Sequence, residues 1–266
     1  MSDPVVLTST EGAIRTITMN RPKALNALNR ELTLALREAV FAAEQDRAVR
    51  CVVIKGGEHF MAGGDLKWFH ENLAKYPAEQ VKPTFETFIH EVHAMIVALR
   101  RMPKPVLASV AGAAAGFGLS LVMACDLAIA ADSSYYTLAY SAIGVSPDGG
   151  STFSLPRLVG LKKAMEIALL ADRFDAATAE RLGIVNRVVP AAELDAATAK
   201  LAARLAAGPT AVYARTKALL QRSLDNPLEA QLQREAESFA QCATEPDFTE
   251  GIRAFVEKRK PTFRGA

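Results

Sequence analysis

Two short stretches and one acid are the places in this sequence where chemistry could be done. The stretches are Phe60-Met61-Ala62-Gly63-Gly64-Asp65-Leu66 and Gly112-Ala113-Ala114-Ala115-Gly116-Phe117-Gly118-Leu119-Ser120. The acid is Asp148, in Pro147-Asp148-Gly149-Gly150. Each glycine stretch reads as a junction between a strand and a helix. Glycine there admits positive φ and close backbone approach. First-turn N–H groups lack an acceptor within their own helix, so they can hold an anion. Two such amides aimed at one carbonyl oxygen would form an oxyanion hole. From spacing alone, tight turns are the simpler reading of these glycines, and Pro-Asp-Gly is likewise good turn chemistry. Neither stretch gives G-x-G-x-x-G or G-x-x-x-x-G-K-[ST], so a dinucleotide or Walker phosphate site fits poorly.

The elements that must position these groups follow from patterning. Residues 4–19 alternate about Glu11-Gly12 and read as a hairpin, followed by a turn at Asn20-Arg21-Pro22-Lys23. Asn29 can cap a helix whose apolar positions Leu32, Leu36 and Val40 recur every four residues. A strand is predicted over 50–56, then a short helix capped by Asp65, then a longer helix over 84–101 stopped by Pro103 and Pro105. Next come a strand over 106–110, the second glycine stretch, a helix to Cys125 and a strand over 126–131. Beyond Asp148 the chain turns mainly helical, and a short strand over 184–189 closes the alternating region. From Ala191 onward only helices are predicted, over 191–207, 210–224, 227–243 and 247–258. There is no internal repeat or low-complexity segment. The expectation is an α/β core over 1–190 with a helical region over 191–266.

Composition narrows the function classes. A chain of 266 residues, half of them hydrophobic, can bury a sizeable core. A net charge of +2 without a basic block argues against a nucleic-acid partner. Cys51, Cys125 and Cys242 are odd in number, far apart and without a C-x-x-C, which argues against a disulfide framework or zinc site and fits a reducing cytoplasm. The opening MSDPVVL lacks the basic start and long apolar stretch of a signal peptide. Residues 106–125 carry no charge and approach the length of a membrane span. Gly112, Gly116, Gly118 and the small residues between them instead suit a buried strand, turn and helix, so no membrane association is expected.

Six segments, in order along nearly the whole chain, resemble the enoyl-CoA hydratase/isomerase, or crotonase, family. They are NRPKALNALN at 20–29, FMAGGDLKW at 60–68, PKPVLASVAGAAAGFGLSLVMACDLAIAADS at 103–133, IGVSPDGGSTFSLPRLVG at 143–160, ERLGIVNRVVP at 180–190 and EGIRAFVEKRKPTF at 250–263. The resemblance implies an α/β fold, a crotonase-like spiral of β-β-α turns over 1–190, with 191–266 as a helical trimerisation region. It implies a homotrimer or a dimer of trimers acting on an acyl-CoA thioester. Coenzyme A is then part of the substrate, with no separate cofactor and no metal. By the same resemblance the N–H groups of Gly64 and Phe117 form the oxyanion hole, and Phe117 stands where many relatives have glycine or alanine. Lys23 and Lys67 fall near the phosphates, the backbone from Ala62 to Asp65 near the adenine, and Phe255 and Lys258 near the nucleotide of a neighbouring subunit. Asp65 reads more simply as a helix cap.

The same comparison separates the possible reactions. Hydratases of the family use two glutamates around a water, and those positions hold Ser120 and Tyr140 here. A hydroxyl titrating near about 10 is a poor base at neutral pH. Asp148 resembles the catalytic aspartate of isomerases acting on epoxidised or ring-opened phenylacetyl-CoA and on 3-enoyl-CoAs. It also resembles the nucleophile of 4-chlorobenzoyl-CoA dehalogenase. His93 falls where that enzyme has a functional histidine, but Tyr140 stands where its tryptophan is expected. The resemblance therefore implies first an enoyl-CoA isomerase with one aspartate, Tyr140 beside it in the acyl site. The alternatives are a hydratase, a thioester hydrolase or dehalogenase, and an acyl-CoA-binding protein without catalysis.

Overall fold

The computed structural model describes residues 3–265; Met1 and Ser2, the start of the segment inspected for a leader, and Ala266 lie outside the described residues. The strands are β1 (Val6–Glu11), β2 (Ile14–Met19), β3 (Cys51–Lys55), β4 (Val106–Val110), β5 (Ala113–Ala115), β6 (Leu127–Ala131), β7 (Tyr135–Thr137), β8 (Phe174–Asp175) and β9 (Arg187–Val189). The larger sheet has the order β1-β2-β3-β4-β6-β9 and the smaller one β5-β7-β8. β1 and β2 form the expected antiparallel hairpin, and every later neighbour in the larger sheet is parallel. Parallel neighbours require crossover connections, and these are supplied largely by helices. β4 is buried at every residue and β3 at all but its last, as strands covered on both faces should be.

The helices are α1 (Arg30–Gln45), α2 (Leu66–Leu73), α3 (Ala78–Arg101), α4 (Phe117–Ala124), α5 (Ser151–Val159), α6 (Leu161–Leu170), α7 (Ala176–Arg181), α8 (Leu194–Ala206), α9 (Thr210–Arg222), α10 (Leu228–Ala243) and α11 (Pro246–Val256). The Asn29 side chain accepts from the Leu32 N–H at 2.9 Å, and α1 buries Leu32, Leu36 and Val40. At the far end of α1 the buried Lys104 ammonium donates to the carbonyls of Ala43, Glu44 and Asp46 at 2.9, 3.2 and 2.7 Å. A cation there satisfies carbonyls that lack partners within the helix.

Three expectations are corrected. The long helix does not start at 84 but runs from Ala78 straight through Pro83. The proline removes one backbone donor, while Phe88, Val92, Met95 and Leu99 are buried along the same helix and outweigh that loss. β5, β7 and β8 are too short to show a period, and they exist because distant partners pair with them. The strand over 184–189 shrinks to Arg187–Val189, with Ile184 and Val185 buried ahead of it. The uncharged stretch over 106–125 divides into β4, β5 and α4, and every residue of α4 is buried. Among the described residues no helix is long and apolar enough to cross a membrane.

From Ala191 the structure is helical. Leu194, Ala202 and Ala206 of α8 pack on Cys51, Val53, Leu107 and Ile129 of the larger sheet. α9 is tied to the core by Lys217, which donates to Asp126 at 2.7 Å and to the Leu99 carbonyl at 2.8 Å. The chain end is held by Asp247, whose two carboxylate oxygens accept from the Arg264 and Gly265 N–H groups at 2.7 and 2.8 Å. Leu220, Leu224, Leu228, Phe239 and Phe255 of this region are all more than half exposed.

Candidate active site

The two glycine stretches meet through a short parallel pairing. The Met61 N–H donates to the Ala113 carbonyl and the Ala115 N–H to the Met61 carbonyl, both at 2.9 Å, with Met61 opposite Ala114. Further along, the two stretches stay close: a Cβ on Gly116 would lie 3.5 Å from Gly63 Cα, so the residues that follow, Gly64 and Phe117, leave from neighbouring backbone. On its other side the first stretch is clamped by residues 25–28. Ala62 N–H donates to Leu25, Leu28 N–H to Gly63, and Asp65 N–H to Leu28, at 3.0, 2.7 and 3.0 Å. The amides on either side of this grip are used, yet among the described residues neither the Gly64 nor the Phe117 N–H has an acceptor. For Phe117 the cause is positional: it opens α4, and a first-turn amide has no partner in its own helix. Gly116, at φ +50°, makes the left-handed step into that helix.

Side chains around this pairing hold it. Asn26 is buried and donates to the carbonyls of His59 and Phe60 at 2.7 and 3.2 Å, while accepting the Arg21 N–H at 2.8 Å. Asp65 spends one oxygen on the Trp68 N–H at 3.2 Å, capping α2, and the other on Arg21 at 3.0 Å. Its carboxylate is thus committed to structure. The Phe69 ring covers Gly64 so closely that a Cβ there would lie 2.7 Å from it. Phe69 itself packs on Phe85, and Trp68 on Phe88, with ring centroids 5.5 and 5.0 Å apart.

The acid stands in the turn before α5. The Tyr140 hydroxyl donates to Asp148 Oδ1. Ser120 Oγ lies 3.3 Å from the same hydroxyl and donates to the Asp148 carbonyl at 3.1 Å, which Ser151 Oγ also reaches at 2.8 Å. The Ser120 and Tyr140 hydroxyls therefore converge on one another and on Asp148. The next residue, Gly149, has φ +61°, and a Cβ on it would lie 2.8 Å from both the Phe117 ring and Ser120 Cβ. That close approach brings the acid-bearing turn against the second glycine stretch. The Gly149 N–H donates to His93 Nε2 at 3.2 Å.

Burial lifts the Asp148 carboxyl above the ordinary aspartate range, opposed by the Tyr140 hydrogen bond and by charge on His93. Burial and the neighbouring Asp148 charge lift the Tyr140 phenol, so it stays a donor. Burial also raises the thiols of Cys51, to about 12, and of Cys125, leaving both as un-ionised thiols at neutral pH.

The other residues singled out in the sequence lie apart. Lys23 and Lys67 are exposed and form no ion pair among the described residues. Phe255, 86% exposed, and Lys258, exposed with φ +53°, close α11. A cleft of about 490 Å³ between α5 and α9 is lined by Arg100, Phe153, Arg157 and Lys217, and takes in none of Gly64, Phe117 and Asp148. Phe69 was not singled out in the sequence. Its signal was the aromatic pair Trp68-Phe69 just inside a capped helix, facing Phe85 and Phe88 spaced one turn apart.

Known proteins carry the same arrangement of chain and fold. The family profile described as enoyl-CoA hydratase/isomerase matches residues 9–266. The 1,2-epoxyphenylacetyl-CoA isomerase of Escherichia coli is 34% identical, over 98% of each chain. The crotonyl-CoA hydratase of Syntrophomonas wolfei is 35% identical, over 97% of each. The crystal structure of an enoyl-CoA hydratase from Polaromonas sp. JS666 superposes with a TM-score of 0.90 at 36% identity, covering 97% of this chain and 99% of that one. With the match running along nearly its whole length in both sequence and fold, this chain belongs to the enoyl-CoA hydratase/isomerase family.

Proposed function

We propose that the protein is an enoyl-CoA isomerase in which Asp148 is the single acid–base group. The observation that carries the reading is the Tyr140 hydroxyl on Asp148 Oδ1, with Ser120 beside it. Two hydroxyls occupy the positions of hydratase carboxylates, and both serve the one aspartate. Oδ2 is then the oxygen left to work. The thioester oxygen lies between the Gly64 and Phe117 N–H groups. Asp148 removes a proton from the carbon between the carbonyl and the β,γ double bond, and the electron pair passes through the dienolate to the carbonyl oxygen. The protonated acid returns the proton two carbons further on, giving the conjugated ester. A carboxyl lifted by burial suits both steps, since it is a stronger base than an ordinary aspartate and still gives the proton back. The oxyanion donors supply about 10²–10³ each, and positioned acid–base transfer about 10²–10⁴.

The rest of the assignment follows the same reading. The acyl-CoA thioester is held through Lys23, Lys67 and the backbone from Ala62 to Asp65, with Phe255 and Lys258 reaching a neighbour's nucleotide. The exposed apolar residues of α9, α10 and α11 support assembly as a trimer or a dimer of trimers. No separate cofactor or metal is needed, and three unpaired cysteines suit a cytoplasmic setting. The test is a panel of CoA esters followed by ultraviolet absorbance and mass spectrometry. Isomerisation gives the conjugated chromophore at constant mass. Addition of water to a 2-enoyl ester, or release of free CoA, would assign hydration or hydrolysis instead. Tight binding without turnover would make the protein a carrier.

A further inference from the structure

We propose that His93 is the positioning residue for Asp148, holding the acid-bearing turn through the Gly149 N–H. The inference rests on the assignment of Asp148 given above. Ser120 and Ser151 both grip this turn at one atom, the Asp148 carbonyl. These bonds, and that from Tyr140 to the carboxyl, all end on Asp148 itself and leave the peptide that follows it to be held from elsewhere. Gly149 has no side chain with which to hold it, and its φ of +61° is one that only glycine adopts at little strain. The hydrogen bond from Gly149 to His93 Nε2, at 3.2 Å, supplies that hold and comes from a different element, α3. That helix is a firm base: Val92, Met95, Ile96 and Leu99 are all buried in the core. Ile96, one turn after His93, faces the same turn, with its Cγ2 3.7 Å from where a Gly150 Cβ would stand.

The direction of this bond has a chemical consequence. Nε2 is the accepting nitrogen, so only a side chain that brings an acceptor to the same place can replace it. The buried amide thus fixes the place of the acid.

The test compares His93→Leu with His93→Gln in the full-length protein. The glutamine side-chain oxygen reaches about as far as Nε2 and can accept the same N–H; leucine cannot. Hydrogen exchange of a peptide spanning 147–150 reads the bond directly, a thermal melt confirms that each variant is folded, and kcat and KM are measured on a 3-enoyl-CoA. We expect His93→Leu to expose the Gly149 amide and lower kcat by about 10–10²-fold, with KM within about threefold. His93→Gln should restore protection and most of kcat. Unchanged protection in His93→Leu, or a kcat loss in His93→Gln as large as that in His93→Leu, would overturn the proposal. Failure of the isomerase reading shows separately, as wild-type protein that isomerises no ester; the kcat comparison then uses whatever turnover wild type performs, and the exchange result stands unaltered.

Discussion

The sharpest test of the site is Tyr140→Phe. The change deletes one hydroxyl and keeps the ring, which is buried with only 7% of its surface exposed, so packing is preserved. What is lost is the donor on Asp148 Oδ1 and the contact with Ser120 Oγ. A hydrogen bond to a charged group is worth about 1.5–3 kcal/mol. At about 1.4 kcal/mol per decade, kcat/KM at pH 7 should fall by about 10–10²-fold. The pH profile fixes the cause. The phenol favours the ionised carboxylate, so its removal leaves burial less opposed and moves the Asp148 carboxyl further up. The acid limb of kcat/KM, where Asp148 gains the proton that stops it acting as a base, must therefore shift to higher pH. Part of the deficit at pH 7 should be recovered in alkaline buffer. Initial rates of conjugation of a 3-enoyl-CoA from pH 5 to 10 would show it. A profile identical to wild type, or an acid limb moved to lower pH, would refute the reasoning.

Three further outcomes follow from the same geometry. Asp148→Asn should bind CoA esters as wild type does and lose turnover by at least about 10². It should also melt higher. A carboxyl raised in the fold keeps a proton that the unfolded chain has released, so wild-type stability falls as pH rises from the ordinary aspartate range through the raised one. Calorimetry at pH 4 and pH 7 should show the advantage of Asp148→Asn growing with pH; an advantage that shrinks contradicts the raised carboxyl. Gly64→Ala and Gly64→Pro both press on the Phe69 ring, but only proline deletes the N–H. The proline variant should lose about 10²–10³ more in kcat than the alanine variant, and equal losses would remove Gly64 from the oxyanion hole. Sedimentation should find a trimer or a multiple of three at working concentration, and a stable monomer would leave the exposed leucines of α9 and α10 without their proposed role.

What the sequence disclosed was set by range. Asn29 and Asp65 are three residues from the amides they cap, so their chemistry was legible locally. The parallel strands were legible because they are buried on both faces and read as apolar runs. β8 has two residues and gains its identity from β7, some forty positions earlier, so no window along the chain contains the cause. The path of α3 through Pro83 was hidden for the same reason: the penalty is local, while the compensating burial lies on other elements. At the site, the types of Gly64, Phe117 and Asp148 could be singled out, but the bond from Tyr140 depends on how the intervening turn folds back. His93 lies 56 positions from Gly149, and the direction of its hydrogen bond exists only once α3 is docked.

The pairing of Met61 with Ala114 divides labour within the protein. Both amides proposed to grip the carbonyl oxygen belong to the main chain, and main-chain bonds hold the strips that carry them. On the proposed assignment, exchanging side chains at 120, 140 or 148 would alter which proton moves, or whether water takes part, while the proposed main-chain grip persisted. A scaffold of this kind can be retooled by one substitution at a time, with each intermediate still binding its ligand. An engineer seeking a new reaction should therefore leave the glycines and their main-chain pairing alone and vary the side chains at 120, 140 and 148.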